Sequence, residues 1–330
     1  MSSPLAICTV THNAAADLPD YLEFVGRLTY RPIELVIVDC ASTDGSADVA
    51  RAHLPESMPS QVIALEENLG FAAGMNRAIA ATSAVFVLSL NADTRPRPDF
   101  AAALVRRLES GSRTPVGAVT GRLTRPEEDG ESLVDAAGMR LRPTWRHLDR
   151  GSGEPERGQF AAPEAVFGGT GAATLYYRPA LEDAAIDGEI FLAEFHSFRE
   201  DAELCFRLRE RGWEIVYEPA AIATHGRRNV PERRRQMPAH VNYHSLKNRY
   251  LLRAYHGTAA SLVATAIPAT LRDVVILGYV LARERSSLPA LAWLWRQRKH
   301  ILARRRLIQS RRTLSSRRLA AWFFRSGRPL

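Results

Sequence analysis

The spacing of apolar and polar positions changes period repeatedly along the first hundred residues of this 330-residue chain. "LAICTV" is a short apolar run, and "LPDYLEFVGRL" after it has helical spacing. "IELVIVD" reads as a buried strand, "GSADVARAHL" as a helix and "QVIALE" as a strand. "GFAAGMNRAIAAT" then reads as a helix and "AVFVLSLNAD" as a strand. This strand–helix alternation predicts an α/β protein with a mainly parallel sheet covered on both faces. Ligands of such sheets sit beyond the carboxyl ends of the strands, so the informative residues follow each strand.

Polar groups gather at those positions. Thr11, His12 and Asn13 follow the first strand, and Asp39 and the turn-rich "CASTDGS" with Asp44 follow the second. "ENLGFAAGMN", with Asn68, Gly70 and Asn76, follows the third, and Asn91-Ala92-Asp93-Thr94 the fourth. The first turn has no glycine, which argues against a dinucleotide fingerprint, and the phosphate-binding lysine pattern is absent from a chain whose lysines are Lys247 and Lys299.

Further on, "HSFREDAELCFRLRERGW" opens a helix with three carboxylates. Asp201 shares a face with Leu204, Cys205 and Leu208, at the edge of the apolar stripe. Glu203 falls with Phe206, Arg207 and Glu210 and reads as solvated. Acids favour a helix start by dipole alone, but one that faces inward needs a further reason.

Composition adds two constraints. Cys8, Cys40 and Cys205 have no metal or redox spacing and fall in apolar segments, which points to buried, reduced thiols and a cytoplasmic setting. The start "MSSPLAICTVTHN" lacks a signal-peptide pattern. The net charge of +8 is uneven. Residues 258–330 hold fourteen Arg and one Lys against Asp273 and Glu284, a net +13, so the rest is about −5. The expected division is an α/β domain over 1–257 and a basic, amphipathic helical extension over 258–330. Within that extension "SLVATAIPATLRDVVILGYVLA" is interrupted by Pro268, Arg272 and Asp273, and no bilayer-spanning segment is expected. Its Arg residues beside Trp293, Trp295, Trp322, Phe323 and Phe324 suit an anionic membrane surface, with packing on the domain before it as the rival.

Seven motifs in order carry a resemblance: "TVTHN", "VIVDCASTDGS", "ENLGFAAGMN", "LSLNADT", "FGGTGAATLYYR", "REDAELCFRLRERGW" and "ATHGR". Over residues 5 to about 255 the chain resembles glycosyltransferase family 2, the inverting nucleotide-sugar transferases of GT-A fold, in its bacterial rhamnosyltransferase-like branch. The resemblance implies a nucleoside diphosphate sugar donor (dTDP-rhamnose or a UDP-sugar), a lipid-linked or oligosaccharide acceptor, and a role in cell-surface polysaccharide synthesis. It implies Asp201 as general base with Glu200 in support. It places Asp39 at the base or ribose, with Thr11, Asn13, Asp44, Asn68, Gly70, Asn76, Asn91 and Gly169 around the nucleotide sugar. Asp93 would sit at a divalent cation (Mg²⁺ or Mn²⁺) on the diphosphate, with His225 as a further ligand. Asn91 stands where the family's first metal-site acid usually is. Gly168, Gly169 and Gly171 would leave room for sugar. Residues 125–163 would cover the site, and the basic stretch 227–249 would order over the donor diphosphate or acceptor phosphates. The expected location is peripheral, at the inner face of the cell membrane. A nucleotidyltransferase acting on sugar phosphates is the rival enzyme. An Arg-tailed nucleic-acid-binding protein is the non-enzymatic rival, although no reader motif is present and nucleic acid is not expected as a partner.

Overall fold

The computed structural model describes residues 2–111, 114–126, 132–226 and 238–330. The alternation of the first hundred residues folds as expected. Strands β1 (Leu5–Thr11), β2 (Ile33–Cys40), β3 (Ser60–Leu65) and β4 (Phe86–Leu90) alternate with helices α1 (Leu18–Gly26), α2 (Ser46–Ala52) and α3 (Gly70–Ala80). The strands β3, β2, β1 and β4 lie side by side in parallel, with Thr11 opposite Asp39 at their carboxyl ends. Both faces are covered. Leu5, Ile7, Leu35 and Ile37 belong to one apolar layer, and Ala6, Cys8, Val36 and Val38 to the other, as period-2 alternation requires.

Beyond β4 the chain adds β5 (Thr94–Pro96), α4 (Phe100–Glu109), β6 (Val116–Thr124), β7 (Val134–Ala136), the hairpin β8 (Met139–Arg142) and β9 (Arg146–Asp149), β10 (Glu164–Ala165), β11 (Ala173–Tyr177), α5 (Arg178–Ala184), α6 (Glu200–Glu210) and β12 (Glu214–His225). Strand β11 inserts antiparallel between β4 and β6, and β12 pairs parallel with β6. This join between the parallel half and the mixed half brings the end of β4, the start of β11, the start of α6 and the end of β12 to one edge of the sheet.

The C-terminal region contains α7 (Ala239–His256), α8 (Ala259–Arg283), α9 (Leu288–Arg296), α10 (Arg298–Ser310), α11 (Ser316–Ala321) and a last short strand, β13 (Arg328–Pro329), paired with β10. Four readings of the sequence change here. Glu203 is fully buried: it pairs with Arg207 at 2.6 Å and faces His256 at 3.3 Å, because α7 covers the side of α6 that sequence alone leaves to water. Trp322 and Phe323 are buried as well, with Phe323 packed against Trp145 at 4.6 Å between ring centroids, so neither is available to a membrane. Several tail arginines are used inside the protein: Arg304 pairs with Glu194 at 3.0 Å, Arg311 donates to Asp183 O at 2.6 Å, and Arg328 pairs with Glu214. Finally, the segment expected to be too interrupted to span a bilayer is a single continuous helix. Among the described residues α8 is long and apolar enough to cross a membrane by length and composition.

Candidate active site

A cavity of about 910 Å³ opens at the edge where β4, β11, α6 and β12 meet. Asn91, Asp93, Gly171, Glu200, Asp201 and His225 line it. Of the residues singled out in the sequence, these come together; Thr11, Asn13, Asp39, Asp44, Asn68, Gly70, Asn76 and Gly169 do not line this cavity.

Asp201 is delivered by an unusual turn. His196, Phe198 and Arg199 all have positive φ, at 61°, 69° and 74°, which non-glycine residues adopt only when the surroundings enforce it. The enforcement comes from α7. The Asn248 amide donates to the carbonyls of Phe195, Ser197 and Phe198 at 2.7, 2.9 and 2.7 Å. Helix α6 starts directly after this turn, so Glu200 and Asp201 occupy its first turn. The Asp201 carboxylate accepts from the Gly171 N–H at 3.0 Å and from its neighbour Ala202 N–H at 2.7 Å. Burial raises its pKa above the ordinary carboxylate range, those two N–H groups oppose the rise, and Asp149 across the cavity adds to it. Glu200 is raised well above its usual value by burial first and by the Asp201 charge second. Its Oε2 is buried without a hydrogen-bond partner among the described residues. Of this pair it is Asp201 whose ionised form is favoured by two backbone donors.

The other side of the cavity has different chemistry. The Nε2 of His225 faces Asp93 Oδ1 at 3.3 Å, and its Nδ1–H donates to Asp135 Oδ2 at 2.8 Å. Burial works to lower the His225 pKa, but the hydrogen bonds and charges of Asp135 and Asp93 outweigh it and carry it up to about 9. Among the described residues no group of three or more His, Cys, Asp or Glu side chains is gathered as a metal cluster. The donors that are present nevertheless fit a cation shared with a substrate. Asp135 fixes the His225 ring with Nε2 turned to Asp93, the outer-shell arrangement that metal-binding histidines use, and the site already attracts a positive charge as a proton. Asp135 was not foreseen. Its only mark in the sequence is an acid set between apolar neighbours in "SLVDAAG".

The remaining expected residues serve the loops around the cavity. Thr11 donates to Asp39 at 2.9 Å, and the Ser42 N–H donates to the same carboxylate at 3.0 Å. Asn13 accepts from Thr43 N–H at 2.9 Å, and Asp44 accepts from Ala15 and Ser46 N–H, each at 3.0 Å. The Asn68 side chain accepts from Gly70 N–H at 2.9 Å. Both ends of the Asn76 amide are taken by the Phe191 backbone, at 2.7 and 2.8 Å. The glycines divide similarly. A Cβ on Gly70, whose φ is +78°, would meet the His196 ring at 2.5 Å, one on Gly168 would meet Cys205 Sγ at 2.7 Å, and one on Gly169 would meet Thr174 Oγ1 at 2.4 Å. Their smallness serves close protein packing, and Gly171 is the one of the sugar-site glycines that lines the cavity. From the predicted cover over 125–163, Met139, Arg146, His147 and Asp149 of the β8–β9 hairpin line it too. Residues 227–237 of the basic stretch lie outside the described residues.

A parallel nucleotide-binding half, an antiparallel insertion beside β4 and an acid following β4 define a GT-A type glycosyltransferase. The chain belongs to glycosyl transferase family 2, whose family model matches residues 6–184, more than half of its length. It is 26% identical over 246 residues to an N-acetylglucosaminyl-diphospho-decaprenol L-rhamnosyltransferase of Mycobacterium tuberculosis, covering 68% of this chain and 76% of that one. Over 94 residues it is 34% identical to a PGL/p-HBAD biosynthesis glycosyltransferase of Mycobacterium bovis, covering 28% of this chain and 37% of the other. The fold is that of the mannosyltransferase PcManGT of Pyrobaculum calidifontis, solved with GDP-Man and Mn²⁺. That match has a TM-score of 0.52 and 18% identity, over 94% of this chain and 88% of that one. It is also that of S. aureus TarS 1-349 solved with UDP-GlcNAc, at a TM-score of 0.54 and 12% identity, over 93% and 90% of the two chains.

Proposed function

We propose that this glycosyltransferase moves a sugar, with inversion at the anomeric carbon, from a nucleoside diphosphate sugar to a saccharide carried on a lipid, in the synthesis of a cell-surface polysaccharide. The observation that carries this reading is the separation of roles across one cavity. Asp201 is a carboxyl group held by two backbone donors, and Asp93, His225 and Asp135 form a chain on the other side. The relative named for a lipid diphosphate acceptor and a rhamnosyl group supports the choice of substrates.

In this reading the acceptor hydroxyl lies against Asp201, which takes its proton as the oxygen attacks. The diphosphate leaves from the opposite face of the sugar, and Asn91 and Asp93 lie at that side. Asp93 and Nε2 of His225 would hold a divalent cation, and Asp135 would keep that nitrogen's lone pair outward. A bound cation supplies charge compensation for the departing diphosphate. Asp39, Thr11 and Asn13, at the carboxyl ends of β1 and β2, would meet the nucleoside end of the donor.

Mass spectrometry of products from a panel of donor sugars and lipid-linked acceptors tests the proposal. A sugar-extended acceptor together with a nucleoside diphosphate is expected. Release of pyrophosphate with formation of a nucleotide sugar would instead establish the nucleotidyltransferase reading.

A further inference from the structure

Helix α8 is amphipathic in the reverse sense for a soluble protein. Its polar groups point into the molecule. Ser261 and Thr265 are buried, and Thr265 accepts from Trp145 Nε1 at 2.8 Å. Asp273 pairs with Arg249 at 2.9 Å and Arg253 at 2.6 Å. Arg272 lines the active-site cavity, and its buried Nε has no hydrogen-bond partner among the described residues. The outward face is apolar apart from Thr270: Val263 is 80% exposed, Ile267 75%, Leu271 64% and Val274 66%, with Leu262 and Leu281 also exposed. The helix is about 37 Å long. A continuous apolar face of that length is too large to be incidental surface.

Two further observations say what covers it. The first is charge. Arg283 at the end of the helix and Arg285, Arg296, Arg298 and Lys299 after it are all exposed, while Glu284, the one acid from residue 274 to the end of the chain, is buried and accepts from Ser287. Apolar residues bordered by unopposed cations match a bilayer with anionic headgroups. The second is continuity. Val275, Ile276, Tyr279 and Val280 on the same helix line the cavity that holds Asp201, so one element touches both the reaction chamber and the outer apolar face.

We propose that α8 lies in the interfacial layer of an anionic membrane with Val263, Ile267, Leu271 and Val274 among the acyl chains. The cavity then opens at headgroup depth beside Arg272, where a lipid-borne phosphate can enter without leaving the bilayer. This rests on the lipid-linked acceptor reading but assigns the docking to α8, whereas the Arg-rich segments after it supply electrostatic attraction. Binding should therefore survive salt, because apolar insertion is not screened.

The test is co-sedimentation with vesicles of phosphatidylcholine and phosphatidylglycerol at 3:1, at low and at high salt. The wild-type chain is expected to bind at both. The triple variant Val263→Glu, Ile267→Glu, Leu271→Glu, at exposed positions outside the cavity, should lose binding by at least about tenfold. Its thermal stabilisation by nucleoside diphosphates should stay unchanged, which establishes that it is folded. Replacing Arg296, Arg298 and Lys299 by Gln should weaken binding at low salt only. A fluorophore on Ile267→Cys, selective because the three native cysteines are buried, should shift to the blue on vesicles. Wild-type protein that ignores these vesicles, a triple variant that binds like wild type, or an unshifted probe would overturn the proposal. So would a homodimer in solution that the triple variant dissolves without any vesicle binding. Vesicle binding without transfer to any lipid-linked acceptor would sustain the docking surface while removing the acceptor reading.

Discussion

The two acidic sides of the cavity solve opposite problems. At the start of α6, Glu200 and Asp201 are adjacent carboxyls with no cation paired to them among the described residues; burial raises the pKa of both, and Asp201 accepts from two backbone N–H groups. At the end of β12, Asp93 and Asp135 flank His225, and the three form a charged chain that draws a proton onto the imidazole. A carboxylate that must take a proton is best left without a competing cation. One that must hold positive charge against a diphosphate is best combined with a second ligand and a group to orient it. In the proposed reaction the same residue type would serve both ends because its surroundings differ.

The sharpest way to break this comparison is to exchange charge for shape at α6. Asp201→Asn should lower transfer by a factor on the order of 10³, within the usual range for losing a general base. Donor affinity, read by calorimetry, should stay within a few-fold of wild type. A variant that loses both equally would place Asp201 on the donor side.

Next in size is Asp135→Asn. This residue touches His225 only from behind, and the loss of such an outer partner is expected to weaken divalent-metal affinity by about 10–100-fold. Metal titration followed by nucleoside diphosphate binding reads it directly. Asp93→Ala should lower nucleotide affinity by about tenfold or more with Mg²⁺ or Mn²⁺ present and much less in chelator, because its carboxylate acts through the cation. Equal losses in both conditions would mean that Asp93 works through the His225 proton instead.

The smallest effect concerns pH. Because the folded pKa of Asp201 is raised, its base form should be lost as pH falls through a value above the ordinary carboxylate range, and the acidic limb of kcat/KM should lie correspondingly high. Asp149 adds to that rise, so Asp149→Asn should move the limb to lower pH by a few tenths of a unit to one unit. Movement in the opposite direction would show that the limb belongs to another group.

Much of this arrangement is legible in the sequence where period and position coincide. The alternation of strands and helices up to Leu90 places Asn91 and Asp93 at a strand end, and the inward face of α6 singles out Asp201. What sequence does not supply is which face of a helix meets which neighbour. Glu203 lies on a polar stripe, yet α7 covers that stripe, and Arg207 and His256 neutralise it. Helix α8 shows the converse, since its apolar periodicity is plain but nothing local says that Asp273, Arg249 and Arg253 turn the polar side inward. Asn248 is invisible for the same reason. It lies some fifty residues after the turn it restrains, and only the fold brings its amide to the carbonyls of Phe195, Ser197 and Phe198. The loop contacts of Asn76 and Gly169 show that a motif residue can serve the scaffold of a site without lining its cavity.

The proposed single displacement, by a hydroxyl that Asp201 would deprotonate, would leave one signature that no supporting residue can imitate. The bond that forms must lie on the face of the sugar opposite the departing diphosphate. Proton NMR of the product of a donor of defined anomeric configuration, recorded before any equilibration, reads that face from the coupling at the anomeric position. The predicted result is complete inversion relative to the donor. Retention of the donor configuration would contradict it, because the carboxylate at α6 would then have to act as something other than the base of one direct transfer.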